Sequence, residues 1–573
     1  MAPALAARIA WAGEKLEQRH GVTVEQVKVD DTANVVVNNT DGESVFNLDG
    51  NNETIASLNT QANTIVSLDD GVGAAGTLTV AGPGNSVLAG RITDGGFDGG
   101  LQINGGVFQL GAGGVVDKIE NTIDVGVANG ATFDVNGNNE AIHQFTTAAG
   151  SSTTVGTGEL TINTGGGTSN ITGADAVTGT GKLIVADGTA NLNTANALGS
   201  TLNVDVNNTG ILDLNDNDQA IAALNTAAGT DVQLGSATLT INNAVGNDSA
   251  VNGVISGAGG GLIKNGTGIL TLNNNNTYTG TTTINAGTVR LGVADAINTT
   301  NYVNQTGGTF DLNDNNQTLG EYDASAGTTD LGSATLTLNM GAGVTSQVDS
   351  LVQGTGGIAL VGADDTSVLA LSGNNTYSGG TTVNGGTLFI QHSNGAGSGD
   401  IQILGSVIHY DNGVNVGNNV ILAADADLLV DAGEAATQTG PISGVGFGIT
   451  KIGDGALTLA GTNTYTGDTI IDGGSLIVAT TGDLSDLTDV SVNNTSLFDV
   501  NAASLTIQSL TVGANATTDI GANTLTLLNT GGLTSDIDGT FIGTGILMVQ
   551  DGVLDLDAGA TIDTGLHVDL NNA

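Results

Sequence analysis

One short turn is written three times in this chain, and that repetition points to a fold built of self-similar units. NNNNTYTG (273–280), GNNTYSGG (373–380) and GTNTYTG (461–467) each centre on a tyrosine. These tyrosines, Tyr278, Tyr377 and Tyr465, lie 99 and then 88 residues apart. Each turn follows an apolar run: Ile269–Leu272, Val368–Leu371 and Ala456–Leu459. Each precedes a second, Thr282–Asn285, Thr381–Asn384 or Thr469–Asp472, and then a glycine turn and a third. The unit reads strand, Asn-rich turn, strand, glycine turn, strand.

A second repeat runs through the same chain. Its openings are FNLDGNN at 46, FDVNGNN at 133, LDLNDND at 212 and FDLNDNN at 310, with a degraded copy, FDVN, at 498. LGSATLTI (234–241) and LGSATLTL (331–338) follow the two middle openings at a similar distance. The spacing is long and uneven, so each unit holds several strands.

Composition supports many short strands. Glycine supplies 91 of 573 residues and proline three, while the apolar residues are mostly aliphatic and aromatics are 3%. Gly, Asn and Asp make tight turns, and Val, Ile, Leu and Thr make strands. A sandwich of this length needs separate domains and linkers, yet no linker interrupts the pattern after residue 30. Long-period self-similarity points to a parallel β-solenoid. In such a fold like residues stack about 4.8 Å apart along the coil axis. Roughly 20–25 residues per coil are expected. Asn serves the turns because it tolerates left-handed backbone angles and bonds to its own turn. Stacked Asn side chains can also bond to one another along a ladder. The turn residues that carry this reading are Asn276, Tyr278 and Gly280, Asn375, Tyr377 and Gly379, and Asn463, Tyr465 and Gly467. The three tyrosines are expected at equivalent coil positions, each ring over the neighbouring coil and each hydroxyl in water.

Residues 1–29 stand apart. They hold four of the ten basic residues, and Leu5, Ile9, Ala12 and Leu16 share one helical face. The expectation is an amphipathic helix that caps the solenoid, or a non-native start, with a continuous solenoid over 30–573.

The segment GLIKNGTGILTLNNNNTYTGTTTINAGTVRLG (261–292) resembles the passenger-associated transport repeat of bacterial autotransporters, and the copies at 357–390 and 448–478 resemble it too. The resemblance implies a right-handed, single-stranded parallel β-helix, a surface rod of structural or adhesive function, exported across the outer membrane of a Gram-negative cell. It implies an outer-membrane translocator barrel as partner, in cis or in trans, and a host-surface or cell-surface ligand. No export signal and no barrel pattern is read at the two ends, which suggests a passenger fragment.

Ten Lys plus Arg against 57 Asp plus Glu give a net charge of −47. Such a chain does not neutralise phosphates, so nucleic acid is not expected as a partner. No run approaches the roughly 18 apolar residues of a membrane helix, so direct membrane insertion is not expected either. The absence of cysteine excludes thiolate chemistry and disulfides.

The alternatives are a β-helical enzyme acting on polysaccharide, a lyase or hydrolase, and a surface-coat protein exported by a separate channel. Polysaccharide chemistry needs converging carboxylates beside a basic group, and basic residues are scarce. Lys264 and Lys451, at equivalent repeat positions, read as turn residues. The five histidines, His20, His143, His392, His409 and His567, form no metal-binding pair. The glycine pattern at 71–76 precedes a strand-like run, where a dinucleotide site needs a helix. Asp213–Asp218 and the Gly/Asp passage at 397–403 offer hard oxygen ligands but lack a complete calcium-loop pattern. No enzyme activity, catalytic residue or cofactor is therefore expected; charge alone allows weak calcium binding.

Overall fold

The computed structural model describes residues 29–38, 44–112, 117–501 and 504–571, together with the backbone of Leu16–Glu17. Among the described residues every regular element is a β-strand and none is a helix. The chain divides into two compact units, Met1–Val289 and Arg290–Ala573. Each is a parallel β-solenoid.

In the first unit a representative coil consists of Ala223–Thr226, Asp231–Gln233 and Thr238–Ile241. These pair in parallel with Asn203–Val206, Ile211–Asp213 and Gln219–Ile221 of the coil before. Val204 thus meets Leu224, a step of 20 residues, and Gly100 meets Asp124, a step of 24. In the second unit Glu321–Ala324, Thr328–Asp330 and Thr335–Met340 form one coil. Thr345–Val348, Leu351–Gln353 and Gly357–Gly362 stack on it. Two long strands of the first unit, Glu159–Ile171 and Lys182–Leu192, continue around a corner, so each pairs on two faces.

Strand alternation fills the core. In TLTI at 238–241 only Leu239 and Ile241 point inward, and both are fully buried. Leu239 stacks on Leu262. Phe108 stacks on Phe133 with ring centroids 6.5 Å apart. The outward partners are Thr, Asp, Asn and Gln, which tolerate water and still suit a strand.

The corners explain the second repeat. Asp213 Oδ1 accepts the Asn215 amide at 2.8 Å, and Asn215 and Asp216 both adopt left-handed angles. Asp216 Oδ1 then accepts the amide of Ser236 in the next coil at 2.7 Å. Asp311, Asn313, Asp314 and Ser333 repeat that arrangement. LDLNDND and LGSATLTI are therefore two floors of one corner. Asparagine ladders run along others: Asn285 donates to Asn265 Oδ1 at 2.8 Å, and Asn265 to Asn242 Oδ1 at 3.4 Å.

Buried amides that lack a backbone acceptor take a side-chain oxygen instead, as they must away from water. Ser249 Oγ accepts from Leu224, and Ser346 Oγ from Tyr322. Glu140, 2% exposed, accepts the Ile119 amide at 2.7 Å and the Lys118 amide at 3.0 Å. Burial pushes its carboxyl up to about 7, against the pull of those two amides.

The expected helix through Leu5, Ile9 and Ala12 lies outside the described residues. Leu16 belongs instead to a short strand, where it pairs with Val35.

Candidate functional site

The three tyrosine turns are the most specific constellation in the chain. At each one a strand is missing from its row; the turn backbone still donates to the coil below, from Thr277, Thr376 and Thr464 to the Ile255, Val352 and Ile442 carbonyls, and an asparagine side chain supplies the acceptor in return. Asn276 Oδ1 accepts the amide of Ile255 in the coil below, Asn375 Oδ1 that of Val352, and Asn463 Oδ1 that of Ile442, all at 2.8 Å. All three asparagines are 3% exposed. Their amide nitrogens donate to backbone carbonyls: Asn274 for Asn276, Gly395 for Asn375, and Asp483 and Gly461 for Asn463. The asparagine thus reproduces the hydrogen-bonding edge of the absent strand.

Two residues on, each tyrosine turns inward. Tyr278, Tyr377 and Tyr465 are fully buried, which corrects the expectation of a hydroxyl in water. Their hydroxyls meet Thr282, Thr381 and Thr469 Oγ1 at 2.6, 2.6 and 2.7 Å. That bond lets a phenol occupy an aliphatic core. Burial raises the tyrosine pKa, to about 12 for Tyr278. The sequence reading took the threonines four residues after each tyrosine as the start of the next strand and not as the tyrosine's partner, although they stand in all three copies.

Gly280, Gly379 and Gly467 close the turn where two coils touch. Their amides donate to Gly260, Gly356 and Phe447 carbonyls at 2.8–2.9 Å. A Cβ on Gly280 would stand 2.5 Å from the Gly260 oxygen, and one on Gly379 2.5 Å from the Gly356 carbonyl carbon.

The local geometry is shared, but the face is not. In the second unit Val368–Leu371, before the Tyr377 turn, belongs to the same sheet as Thr469–Ile471, after the Tyr465 turn. Ala456–Leu459, before the Tyr465 turn, belongs to another sheet. The two copies are separated by four coils plus one face, which corrects the expectation of equivalent coil positions. The tyrosine motif therefore serves corners on two different faces of the second unit.

Lys264 and Lys451 are not solvated turn residues. Both are fully buried at the ends of strands, in register with Ile284 and Ile471. Lys451 Nζ donates to Ile452 O at 2.9 Å, Gly453 O at 2.8 Å and Gly473 O of the next coil at 3.2 Å. Lys264 Nζ donates to Gly266 O, and to Ala286 O of the next coil at 3.3 Å. Burial draws both ammonium groups down to about 8, against Asp248 and Asp454 respectively. At the same register the middle copy has Leu360, paired with Val383 and also fully buried.

Residues 262–291, 364–389 and 449–478 match the profile of the Passenger-associated-transport-repeat. The chain carries three transport repeats. They cover the tyrosine turn, its threonine and the glycine turn in every copy, and the buried lysine in the first and third. A 170-residue stretch is 32% identical to the adhesin BmaC autotransporter of Brucella suis biovar 1 (strain 1330). That stretch is 28% of this chain and 5% of the relative, so the chain spans a small part of that protein's length. No solved structure matches the chain.

The other sequence candidates remain scattered. Lys182 lies between Glu159 at 3.8 Å and Asp205 at 2.9 Å, the one carboxylate–lysine–carboxylate row among the described ion pairs. Its hydrogen bond to Asp205 raises the lysine pKa. The row crosses an outward face of three consecutive coils and lines neither of the two main grooves. Asp213 is engaged in the corner turn described above. Among the described residues no group of three or more His, Asp or Glu is placed to hold a metal ion.

Proposed function

We propose that this chain is a segment of an autotransporter passenger, displayed at the cell surface as a structural and adhesive β-solenoid of right-handed winding. The transport repeats support its export through an outer-membrane translocator barrel, supplied in cis or in trans. The observation that carries this reading is the triplicate Asn–Tyr–Gly–Thr corner, the same motif that the transport-repeat profile detects. The name of the Brucella relative, an adhesin, supports the adhesive part. The reading is non-enzymatic. Among the described basic residues, Lys264 and Lys451 serve backbone carbonyls, and Lys182 and Arg290 serve neighbouring carboxylates.

The test places the chain between an export signal and a translocator barrel in a Gram-negative host. Surface labelling of intact cells and binding of those cells to host-cell monolayers are then measured. Display with a gain in attachment is the expected outcome. Display without attachment would remove the adhesive part, and retention in the periplasm despite a working barrel would remove the reading as a whole.

A further inference from the structure

An outward groove in the first unit has the makings of a binding site apart from the transport repeats. Gln102, Gly126 and Thr146 follow one another on three consecutive coils of one sheet, in strict register. Their side-chain positions face outward. Gly126 lies in a regular strand with no left-handed angle, so the backbone does not demand glycine there. The Gln102 side-chain amide lies over this glycine, with its Oε1 2.1 Å from where a Cβ would stand. What glycine does at this position is make room for that amide within a groove of about 320 Å³.

Half of the lining residues are polar, and their hydrogen-bonding capacity is not used up. Asp124 Oδ1 holds His143 Nδ1 at 2.8 Å, which leaves Oδ2 free. Gln144 spends its NH2 group on the Thr168 carbonyl and keeps its Oε1. The Gln102 amide and the Thr146 hydroxyl have no hydrogen-bond partner among the described residues. Three coils span about 10 Å along the axis. The chain's net charge of −47 disfavours an anionic ligand. No aromatic or large apolar side chain beyond Val125 and Val127 lines the groove, which disfavours a greasy ligand.

We propose that this groove binds a neutral, hydroxyl-rich ligand of one or two sugar rings. Gln102, Gln144 and Thr146 exchange hydrogen bonds with ring hydroxyls, and Asp124, fixed by His143, accepts from a hydroxyl pair. The site is independent of the display reading, which stands or falls without it.

Saturation-transfer NMR on the whole chain tests it, with methyl glucoside, methyl galactoside and N-acetylglucosamine as probes at millimolar concentration. At least one probe should take up saturation. Gly126→Leu, which displaces the Gln102 amide, should abolish the signal. Gln102→Ala, which leaves the core untouched, should weaken binding by about tenfold, a loss of about 1.4 kcal/mol. Thr382→Ala, in the second unit, should change nothing. Absence of saturation with all three probes overturns the proposal, as does a signal that survives both Gly126→Leu and Gln102→Ala.

Discussion

The hydroxyl of Tyr465 lies 2.7 Å from Thr469 Oγ1, and both groups are sealed from water. Removing the threonine hydroxyl takes away the phenol's partner, whereas removing the phenol leaves Thr469 its contact with Thr488 Oγ1. Tyr465→Phe and Thr469→Val should each destabilise the second unit by about 1–3 kcal/mol. The double variant should cost less than their sum. A double-mutant cycle from denaturant unfolding gives the coupling; additive effects would show that the bond contributes nothing specific. Thr469 also meets Thr488 Oγ1 at 2.9 Å, so Thr469→Val should be the more costly of the two single changes.

Asn463→Ala should act on a different group. It strips the Ile442 amide of its acceptor, and that amide is buried. Hydrogen exchange at Ile442 should accelerate sharply while the core of the second unit exchanges as before. Unchanged protection there would mean that the asparagine is dispensable as a surrogate strand.

Alkaline titration should show two opposed effects. The ammonium of Lys451 has a folded pKa of about 8 against an ordinary 10.5. Below about 8 both folded and unfolded chains hold the proton, and the burial cost is fully present. Between about 8 and 10.5 the unfolded chain holds a proton that the folded chain has released, so stability rises with pH. The buried tyrosines oppose this above their ordinary value of 10, where the unfolded chain ionises first and stability falls. Stability of the second unit should therefore peak near pH 10. Lys451→Met should flatten the rising limb, and tyrosinate absorbance should appear only with unfolding. The middle repeat, with Leu360 at this register, should show no rising limb in local hydrogen exchange.

Glu140 predicts the reverse slope in the first unit. Its folded pKa of about 7 stands above the ordinary 4.5. Between those values the folded chain keeps a proton that the unfolded chain has lost, so this contribution falls as pH rises. Glu140→Gln keeps an acceptor for one of the two amides and should remove the slope. The check is thermal unfolding between pH 4 and 8; a slope that persists in the variant would assign it to another group.

Much of this architecture was legible in the sequence because a solenoid writes each coil separately. Alternation in runs such as TLTI gave the strands, and the paired glycines and Asx residues gave the turns. The inward tyrosine was not legible. A turn rich in asparagine reads as wet, and nothing in NNNNTYTG alone says that its ring will enter the core. The decisive partner, Thr282, sits beyond the turn in a strand where threonine is ordinary. The lysines misled for a related reason. A charged residue before Asn-Gly reads as exposed, and its burial rests on carbonyls of its own turn together with one from the following coil, 22 residues away for Lys264 and Ala286. Contacts between coils are where single-stretch reading loses its reach.

The four-coils-and-one-face offset between the Tyr377 and Tyr465 corners has a consequence for how such a chain can grow. A gene segment that encodes a whole number of turns is not required for duplication. A fragment that begins and ends at a tyrosine corner meets the same join on either of these two faces. Each insertion of a fractional turn re-indexes every downstream side chain to a new direction in space. Loops that diverge after copying are thus dealt out around the axis, and one ancestral motif can come to look toward several different neighbours without a single change in its own sequence.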